Sequence, residues 1–483
     1  MKKISKVLIA NRGEIALRII RACKELEIKS VVVFSEVDVD GVWVKKADEC
    51  YPIMGNAVQV YLDYDVILSI AKKAGCDAIH PGYGFLSESA EFATACTDNN
   101  IIFIGPKAEH IELFGDKMAS KVAMKKIGVP VLEGTDTPVI DKVLGEKIAN
   151  DIGFPIIIKA AFGGGGRGMR IVKKAKDFSK MFDDATSESI KYFGKGEVFI
   201  EKYVENPRHI EVQIIADSYG NVLHLGERDC SIQRRHQKVI EIAPSPRLND
   251  AVRKELYRVS TKAMFKLGYE SVGTVEFLVD EDDNIYFIEM NTRVQVEHPV
   301  TEVISGVDLI QRMIEIADGD KLQFLQEEIK FRGFAIEFRI NSEDPQNDFM
   351  PSAGTIKNYL TPGGPGVRID SGLYEGYELP TSYDSMMGKL IVSALDWEGA
   401  VKKAKRALDE YNIDGVKTNI SLHREIVRDI DFKEGKFNTG FLDSKMDTFN
   451  LSAKSSLADE EKKMSFISNM IKKIKEHQLT TRS

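Results

Sequence analysis

Residues 274–299 read Thr274-Val-Glu-Phe-Leu-Val-Asp-Glu-Asp-Asp-Asn-Ile-Tyr-Phe-Ile-Glu-Met-Asn-Thr-Arg-Val-Gln-Val-Glu-His-Pro299. Two alternating apolar runs flank an acidic turn, which predicts a β-hairpin. If the turn centres on Asp282–Asp283, Glu276 and Glu289 face each other, and such a pair is destabilising without a cation between them. Alternation places Asn291 on the same face as Glu289. Two carboxylates and an amide oxygen suit Mg²⁺, so we favour a metal site over a solvated acidic hairpin.

The composition describes a globular protein that is long enough for several domains. The chain has 483 residues, of which 43% are hydrophobic and 29% are charged, and its net charge is −8. This acidic balance argues against nucleic acid or a membrane as a partner. No apolar run reaches membrane-spanning length, and the N-terminal apolar run is too short for a signal peptide. The five cysteines show no CxxC pair, so we expect reduced thiols in a cytoplasmic protein.

The first hundred residues alternate between predicted strands and helices. Strands at 6–10 and 30–34 enclose an amphipathic helix at 14–27, and this order implies a parallel, doubly wound sheet. A further strand at 78–80 leads into Pro81-Gly-Tyr-Gly-Phe-Leu-Ser-Glu88. Open α/β sheets bind ligands at the carboxyl ends of their strands. A ligand-binding loop and a plain Gly-Pro turn are equally compatible with this segment.

A glycine-rich segment in the middle of the chain is a candidate phosphate-binding loop. Phe162-Gly-Gly-Gly-Gly-Arg-Gly-Met169 follows an apolar strand that ends in Lys159. Consecutive glycines leave backbone N–H groups free to surround an anion. The segment is not a Walker motif, which needs Gly-Lys-Ser/Thr at the start of a helix. Because predicted strands flank it on both sides, we favour a mobile lid over a flexible linker.

Two predicted strands, 209–215 and 334–341, alternate cleanly and each has one polar face. The polar positions of these strands are His209, Glu211, Gln213, Glu337, Arg339 and Asn341. Residues 228–238, Arg-Asp-Cys-Ser-Ile-Gln-Arg-Arg-His-Gln-Lys, are rich in cations within an acidic protein. A solvated helix face is the usual explanation of such a run. Its place between core strands favours anion binding instead.

The last third of the chain predicts an antiparallel domain and a separate tail. Turn-rich segments at 351–355 and 362–366 precede a strand at 385–390 and a helix at 397–411. We expect the core fold to be complete by Leu442. The tail that follows has one apolar helical stripe, made of Met464, Ile467, Ile471 and Ile474.

Three motifs together resemble those of biotin carboxylase. They are Gly-Gly-Gly-Gly-Arg-Gly-Met at 163–169, Glu-Arg-Asp-Cys-Ser-Ile-Gln-Arg-Arg-His-Gln-Lys at 227–238 and Glu-Met-Asn-Thr-Arg-Val-Gln-Val-Glu-His-Pro at 289–299. The resemblance implies an α/β protein with an ATP-grasp fold. The domains implied are an N-terminal pre-ATP-grasp (Rossmann-like) domain at 1–114, an ATP-grasp domain at 115–334 with a lid at about 132–203, a C-terminal α+β biotin carboxylase domain at 335–446, and a helical tail at 447–483.

The resemblance also implies the reaction, which is that of an ATP-dependent carbon–nitrogen ligase. ATP phosphorylates bicarbonate to carboxyphosphate, and the ureido nitrogen of biotin captures the CO₂ that carboxyphosphate releases. The expected cofactors are ATP and Mg²⁺ or Mn²⁺, with two metal ions, while biotin is a substrate bound to a carrier protein.

The motif positions that match the family imply a role for each site residue. The metal ligands are Glu276, Glu289 and Asn291. The nucleotide contacts are Lys117, Lys159, Gly165, Gly166, Met169, Glu201, Lys202, Tyr203, Val204, His209, Gln233, His236 and Leu278. Lys238, Arg293 and Glu297 form the bicarbonate site, with Glu297 as the base. Tyr83, Gln295, Val296 and Arg339 form the biotin pocket, where Arg339 stabilises the developing enolate oxygen. Arg18 matches a position at the family's dimer interface.

The partners follow from what the sequence lacks. It contains no Ala-Met-Lys-Met biotinylation motif and no carboxyltransferase sequence after Leu442. We therefore expect the biotinylated carrier and the carboxyltransferase on separate chains, and a homodimer of this chain. The final acceptor is open between acetyl-CoA and pyruvate, and the long tail favours the separate subunit of a two-subunit pyruvate carboxylase.

Two rival functions remain as alternatives. Another ATP-grasp ligase, such as a purine-pathway carboxylase or carbamoyl phosphate synthetase, would share the lid and the metal hairpin. It would not need the strand that bears Arg339 or the spacing from Arg293 to Glu297. A non-catalytic nucleotide-binding subunit would be expected to lose a metal carboxylate or the base, and the sequence retains all of them.

Overall fold

The computed structural model describes residues 4–160, 169–193, 196–452 and 464–472. The N-terminal strands are β1 (Lys6–Ile9), β2 (Lys29–Ser35), β3 (Glu49–Ile53), β4 (Ala78–His80) and β5 (Ile102–Phe103). The helices of this part are α1 (Gly13–Glu25), α2 (Val42–Lys46), α3 (Tyr64–Ala74), α4 (Ala90–Asp98) and α5 (Ala108–Gly115). The strands form a parallel sheet in the order β3-β2-β1-β4-β5. The doubly wound pattern predicted from the sequence is confirmed.

A small three-stranded unit follows in the chain. Its elements are α6 (Lys117–Ile127), α7 (Lys142–Ile152), β6 (Ile156–Ala160), β7 (Met169–Val172), α8 (Phe178–Phe193) and β8 (Val198–Lys202). The sheet is antiparallel in the order β7-β6-β8, and Phe178 and Phe182 of α8 pack on it. Gly134 pairs with Glu201 beside it, and a Cβ there would lie 2.7 Å from the Ile200 carbonyl oxygen. The strands on both sides of the glycine-rich segment are therefore present as predicted.

The rest of the chain is organised around one large antiparallel sheet. Its strands are β9 (Arg208–Ala216), β10 (Val222–Arg234), β11 (Gln237–Ala243), β12 (Ser271–Val279), β13 (Ile285–Asn291), β14 (Phe334–Asn341), β19 (Val367–Ser371) and β21 (Met386–Ala394). Short pairs are formed by β15 (Glu343–Asp344), β16 (Met350–Pro351), β17 (Gly354–Thr355), β18 (Asn358–Leu360), β20 (Glu378–Leu379) and β22 (Asn412–Asp414). The helices are α9 (Asp250–Leu267), α10 (His298–Ser305), α11 (Leu309–Ala317), α12 (Trp397–Glu410), α13 (Ile420–Arg428), α14 (Ile430–Lys433) and α15 (Phe441–Lys445).

This eight-stranded sheet has the order β13-β12-β9-β10-β11-β14-β21-β19. β11 pairs with β14, so the sheet continues across the position where the sequence predicts a change of domain. One side of β14 contributes Ile336, Phe338 and Ile340 to a buried core with α12 and α13. The other side is polar, as predicted from alternation, and the polar side chains of several strands therefore share one face.

The acidic hairpin has the predicted opposition of carboxylates but a different register near its turn. Glu276 pairs with Glu289, whereas Leu278 pairs with Tyr286, because a register shift lies between Glu276 and Phe277. The turn therefore centres on Asp282, and a continuous register from a turn at 282–283 is wrong. The irregularity supplies the extra residue that brings the two carboxylates into direct opposition.

The C-terminal end of the core lies later than the sequence indicates. Met446, Phe449 and Leu451 all pack against the core of the last domain, and Gln346 donates a hydrogen bond to the Leu451 carbonyl at 3.1 Å. The expectation that the fold is complete by Leu442 is wrong, because these apolar residues extend the core. Residues 464–472 are helical and exposed, with Met464 66% and Ile467 48% accessible, while Ile474 lies outside the described residues.

Two further expectations concern cysteines and membrane segments. Cys23, Cys76, Cys96 and Cys230 are buried, Cys50 is exposed, and all five are free thiols. Within the described ranges, none of the helices is both long enough and apolar enough to span a bilayer.

Candidate functional site

Lys238, at the start of β11, lies at the centre of a cluster of buried carboxylates. Its Nζ lies 3.0 Å from Glu276 Oε1 and 2.8 Å from Glu297 Oε1, and it also donates to Glu211. Burial alone would lower the pKa of Lys238, but Glu211, Glu276 and Glu297 outweigh it and raise the pKa well above its usual value. Lys238 is therefore a fixed positive charge at neutral pH.

Arg228 forms the floor of the site, and the sequence analysis did not assign it a role. It is completely buried, and its Nη1 donates to Gln213 Oε1 at 2.7 Å and to Thr301 Oγ1 at 3.0 Å. Its Nη2 lies 3.2 Å from Glu211 Oε2 and also donates to Gln295. Burial would raise the pKa of Glu211, but Lys238, followed by His209 and Arg228, lowers it to about 2. The signal that was missed is strand pairing, since Arg228 lies opposite Glu211 on β9.

The predicted metal ligands lie together on the hairpin. Glu276 is 3% exposed, and its two oxygens accept from His209 Nε2 at 2.8 Å and from Asn291 Nδ2 at 2.7 Å. Glu289 is more open, with 33% of its side chain exposed, and its Oε2 lies 3.3 Å from Lys117 Nζ. Burial would raise the pKa of Glu276, but Lys238 and His209 lower it well below its usual value. Both carboxylates and the amide are oxygen donors that suit Mg²⁺ or Mn²⁺, so the residues fit the metal.

Deeper clusters of possible metal ligands also exist in the described part of the chain. One is His209, Glu211 and Glu276, and the other is Glu211, Cys230 and Glu297. Lys238 already lies among the carboxylates of both clusters. A divalent ion is therefore better accommodated at the outer hairpin, where Glu289 is accessible.

Glu297 is held between two cations. Its Oε1 is 2.8 Å from Lys238 Nζ and its Oε2 is 3.0 Å from Arg339 Nη2. Arg339 also contacts Glu241 Oε1 through Nε at 2.5 Å. Burial would raise the pKa of Glu297, but the two cations, Lys238 first, lower it, so Glu297 is ionised. Burial has the opposite net effect on Glu241 and raises its pKa to about 7.

The nucleotide-binding residues predicted from the resemblance line one side of this cluster. Glu201 on β8 contacts Lys159 at 2.5 Å and Lys121 at 2.9 Å. Burial would raise the pKa of Glu201, but Lys159 and Lys121 lower it to about 2. Gln233 donates to His209 Nδ1 at 3.1 Å, and Leu278 lies opposite His209 on the neighbouring strand.

The other predicted nucleotide contacts are placed less closely. Lys202 donates to the Gly153 carbonyl at 2.9 Å, Met169 begins β7, and Tyr203 and Val204 follow β8. His236 is exposed in the turn between β10 and β11. Gly165 and Gly166 lie outside the described residues, so the structure says nothing of the predicted phosphate loop itself.

The N-terminal loop that begins at Pro81 reaches the same site. Arg293 Nε lies 2.9 Å from Glu88 Oε2, and its Nη2 donates to Asn291 Oδ1 at 2.9 Å. Tyr83 donates to Glu14, whose Oε1 lies 3.1 Å from Lys389 Nζ. Of the two interpretations left open by the sequence, the structure favours a loop at the ligand site over a plain turn.

Arg18, predicted at a dimer interface, is nearly buried within the single chain. Its Nη2 lies 2.8 Å from Glu302 Oε1 and 2.6 Å from Asp308 Oδ2. Its side chain is 7% exposed. Arg18 therefore joins α1 to α10 inside one chain, whatever further contact it makes.

Comparison with known proteins matches nearly the whole chain. The biotin carboxylase N-terminal domain matches residues 3–111, the carbamoyl-phosphate synthase L chain ATP binding domain matches residues 116–325, and the biotin carboxylase C-terminal domain matches residues 337–444. The 2-oxoglutarate carboxylase small subunit of Hydrogenobacter thermophilus is 49% identical over 466 residues, 96% of this chain and 98% of the relative. A biotin carboxylase of Nostoc sp. is 50% identical over 441 residues, 91% of this chain and 99% of the relative.

A solved structure gives the same result for the fold. The biotin carboxylase domain dimer of the Hydrogenobacter thermophilus 2-oxoglutarate carboxylase was determined with MgADP, ADP and bicarbonate. It superposes with a TM-score of 0.88 at 49% identity and covers 93% of this chain and 99% of that chain. The arrangement of an ATP-grasp domain between N-terminal and C-terminal domains is thereby confirmed.

Proposed function

This chain belongs to the biotin carboxylase family, and we propose that its ATP-dependent carboxylation of biotin is the first half-reaction of a carboxylase whose biotin is carried by another polypeptide. The substrates are ATP, bicarbonate and biotin, with Mg²⁺ or Mn²⁺ as the metal. The observation that supports this function best is Glu297, a buried base held between Lys238 and Arg339 and adjoining the metal hairpin.

The first step uses the phosphate side of the site. Lys238 and Arg293 bind the oxygens of bicarbonate, and the ionised Glu297 carboxylate accepts its hydroxyl proton. The freed bicarbonate oxygen then attacks the γ-phosphorus of ATP, ADP leaves, and carboxyphosphate forms. Glu276, Glu289 and Asn291 would hold the metal, which supplies neutralisation of phosphate charge when bound. Glu297 becomes a stronger base when Lys238 turns to the substrate, because that cation lowers its pKa.

The second step uses the opposite side. Carboxyphosphate releases CO₂ and phosphate, and the biotin ureido nitrogen attacks the CO₂ carbon as it loses its proton to phosphate. The Arg339 guanidinium meets the negative charge that develops on the ureido oxygen. Tyr83, Gln295 and Val296 form the walls that orient the ring. A base shared by the two half-sites explains why Lys238 and Arg339 converge on one carboxylate.

A substrate assay tests this function. The purified chain is expected to release ADP slowly with ATP, Mg²⁺ and bicarbonate, and free biotin should accelerate this release and yield carboxybiotin. Ammonia or an aminoimidazole nucleotide in place of biotin should yield no carbamoyl phosphate or carboxylated nucleotide. Product from either replacement, without a response to biotin, would favour another ATP-grasp ligase and contradict the proposal.

The finer parts of the assignment are proposals as well. We infer domains at 1–114, 115–334 with a lid at about 132–203, and 335–446, with a tail at 447–483. We also infer a homodimer in the cytoplasm, with the biotinylated carrier and the carboxyltransferase on separate chains. The final acceptor is inferred to be a 2-oxo acid, since the 2-oxoglutarate carboxylase small subunit aligns over 466 residues and the Nostoc biotin carboxylase over only 441.

The tail is expected to contact the biotin-bearing partner. Its described helix, 464–472, exposes Met464, Phe466, Ile467, Met470 and Ile471, and an isolated helix of this length is marginal in water. A chain that ends at Ser452 keeps the core contacts of Leu451. It should therefore keep its melting temperature and free-biotin activity but lose co-purification with the biotinylated subunit.

Point substitutions provide a matched control for that truncation. Ile467→Glu should weaken co-purification, whereas Ser468→Glu, which adds the same charge beside the stripe, should not. A fall of several degrees in the melting temperature of the truncated chain, with loss of free-biotin activity, would show that the helix docks on its own core.

A further inference from the structure

Lys389, in the middle of β21, is a completely buried lysine that the reaction described above does not use. Its side chain has no solvent exposure. Its Nζ lies 3.1 Å from Glu14 Oε1 and donates to the Val296 carbonyl at 2.9 Å. These two partners belong to the N-terminal domain and to the loop before α10, so one ammonium joins three parts of the chain.

Both partners of Lys389 adjoin the biotin pocket. Glu14 lies in the first turn of α1 and accepts the hydroxyl hydrogen of Tyr83. Val296 immediately precedes Glu297 and is itself a pocket residue. Lys389 also lies directly opposite Arg339 in the strand pairing of β14 with β21. The group that fixes Tyr83 and the peptide before the base is therefore the strand neighbour of the arginine that meets biotin.

The surroundings keep Lys389 charged. Burial would lower its pKa, but Glu14, Glu337 and Asp370 outweigh it and raise the pKa. Asp370 is its pairing partner on β19, and Glu337 lies on the neighbouring strand β14 with both carboxyl oxygens buried and without a hydrogen-bond partner in the described residues. A buried ion pair is often no more stable than well-packed apolar side chains. Core stability alone is therefore a weak reason for an ammonium here.

We propose that Lys389 is a positioning residue for biotin carboxylation, which holds the Glu14–Tyr83 pair and the Val296 peptide so that the biotin ring is oriented between Arg339 and Glu297. The proposal rests on the proposed function. Lys389 acts through these groups and does not itself touch biotin. Glu297 keeps its own contacts to Lys238 and Arg339, so the phosphate side of the site does not depend on Lys389.

The test is Lys389→Met, which keeps the length of the side chain and removes its charge. We expect kcat/KM for free biotin to fall about 10- to 100-fold, because a small displacement of positioning groups has effects of this order. Biotin-independent ATP cleavage and KM for ATP should change by less than about threefold. More ADP should be released per carboxybiotin formed. The matched control is Lys403→Met, which removes an ammonium that holds the Ser393 carbonyl at the far end of the same strand.

Each outcome bears on the proposal. An equal fall of biotin carboxylation and ATP cleavage, together with a lower melting temperature, would show a structural role and overturn it, as would unchanged kinetics. If Lys389→Met does not fold, Glu14→Gln keeps an acceptor for Tyr83 and weakens only the ion pair. It should still lower kcat/KM for biotin selectively, and no selective change would overturn the proposal. Failure of the proposed function is distinguishable, because the unsubstituted chain would then not carboxylate biotin.

Discussion

Replacement of Glu289 by glutamine should lower biotin carboxylation by at least about two orders of magnitude, because phosphoryl transfer depends on positioning and charge neutralisation. Glu289 lies directly opposite Glu276, and the bulged hairpin brings the two carboxylates together. Glutamine removes one charge from this pair and weakens the hold on the divalent ion. Turnover is measured as ADP release and as carboxybiotin at saturating Mg²⁺.

Folding should be little affected by the same substitution. Glu289 is 33% exposed and has Lys117 as its cationic neighbour, so its replacement leaves no deeply buried charge without a partner. Loss of repulsion from Glu276 should keep or raise the melting temperature of the metal-free protein. Asp282→Asn, in the exposed turn of the same hairpin, is the control for removal of one charge. Near-normal turnover of Glu289→Gln at saturating Mg²⁺ would show that Glu289 is not a metal ligand.

Arg339→Ser should separate the two half-reactions. We expect biotin carboxylation to fall about 10²- to 10³-fold, which is the usual effect of removing a group that stabilises a developing oxyanion. The slow, bicarbonate-dependent ATP cleavage should be retained, since Lys238 and Glu297 remain in contact at 2.8 Å. Both activities are measured on one preparation, with and without free biotin.

Retained ATP cleavage also serves as the folding control for Arg339→Ser. The substitution removes the cation beside Glu241, and burial already raises the pKa of that carboxyl to about 7. Glu241 can therefore take up a proton instead of remaining an unpaired buried charge. Arg406→Ser, which removes an exposed arginine paired with Glu410 on α12, is the matched substitution and should change neither activity. Equal loss of both activities in Arg339→Ser would place Arg339 in the phosphate half of the site.

Much of the site could be predicted from single strands. The polar faces of β9 and β14, with Glu211 and Arg339, are present as alternation predicts. Alternation is a local property, because successive side chains point to opposite sides of a strand whatever its partners. The opposition of Glu276 and Glu289 follows from alternation and a short turn. The family motifs likewise lie within short segments, so the fold class could be inferred before any tertiary contact was known.

Only the tertiary structure decided which polar faces meet and which charges are compensated. The cation-rich run at 228–238 was predicted to bind anions, yet its first residue, Arg228, is buried under Glu211 and Gln213. The junction of Lys389 with Glu14 and Val296 joins residues that are far apart in the sequence. No local periodicity encodes such contacts. They depend on how β11 joins β14 and how α1 packs on the sheet, and a buried charge persists only where that packing brings an opposite charge to it.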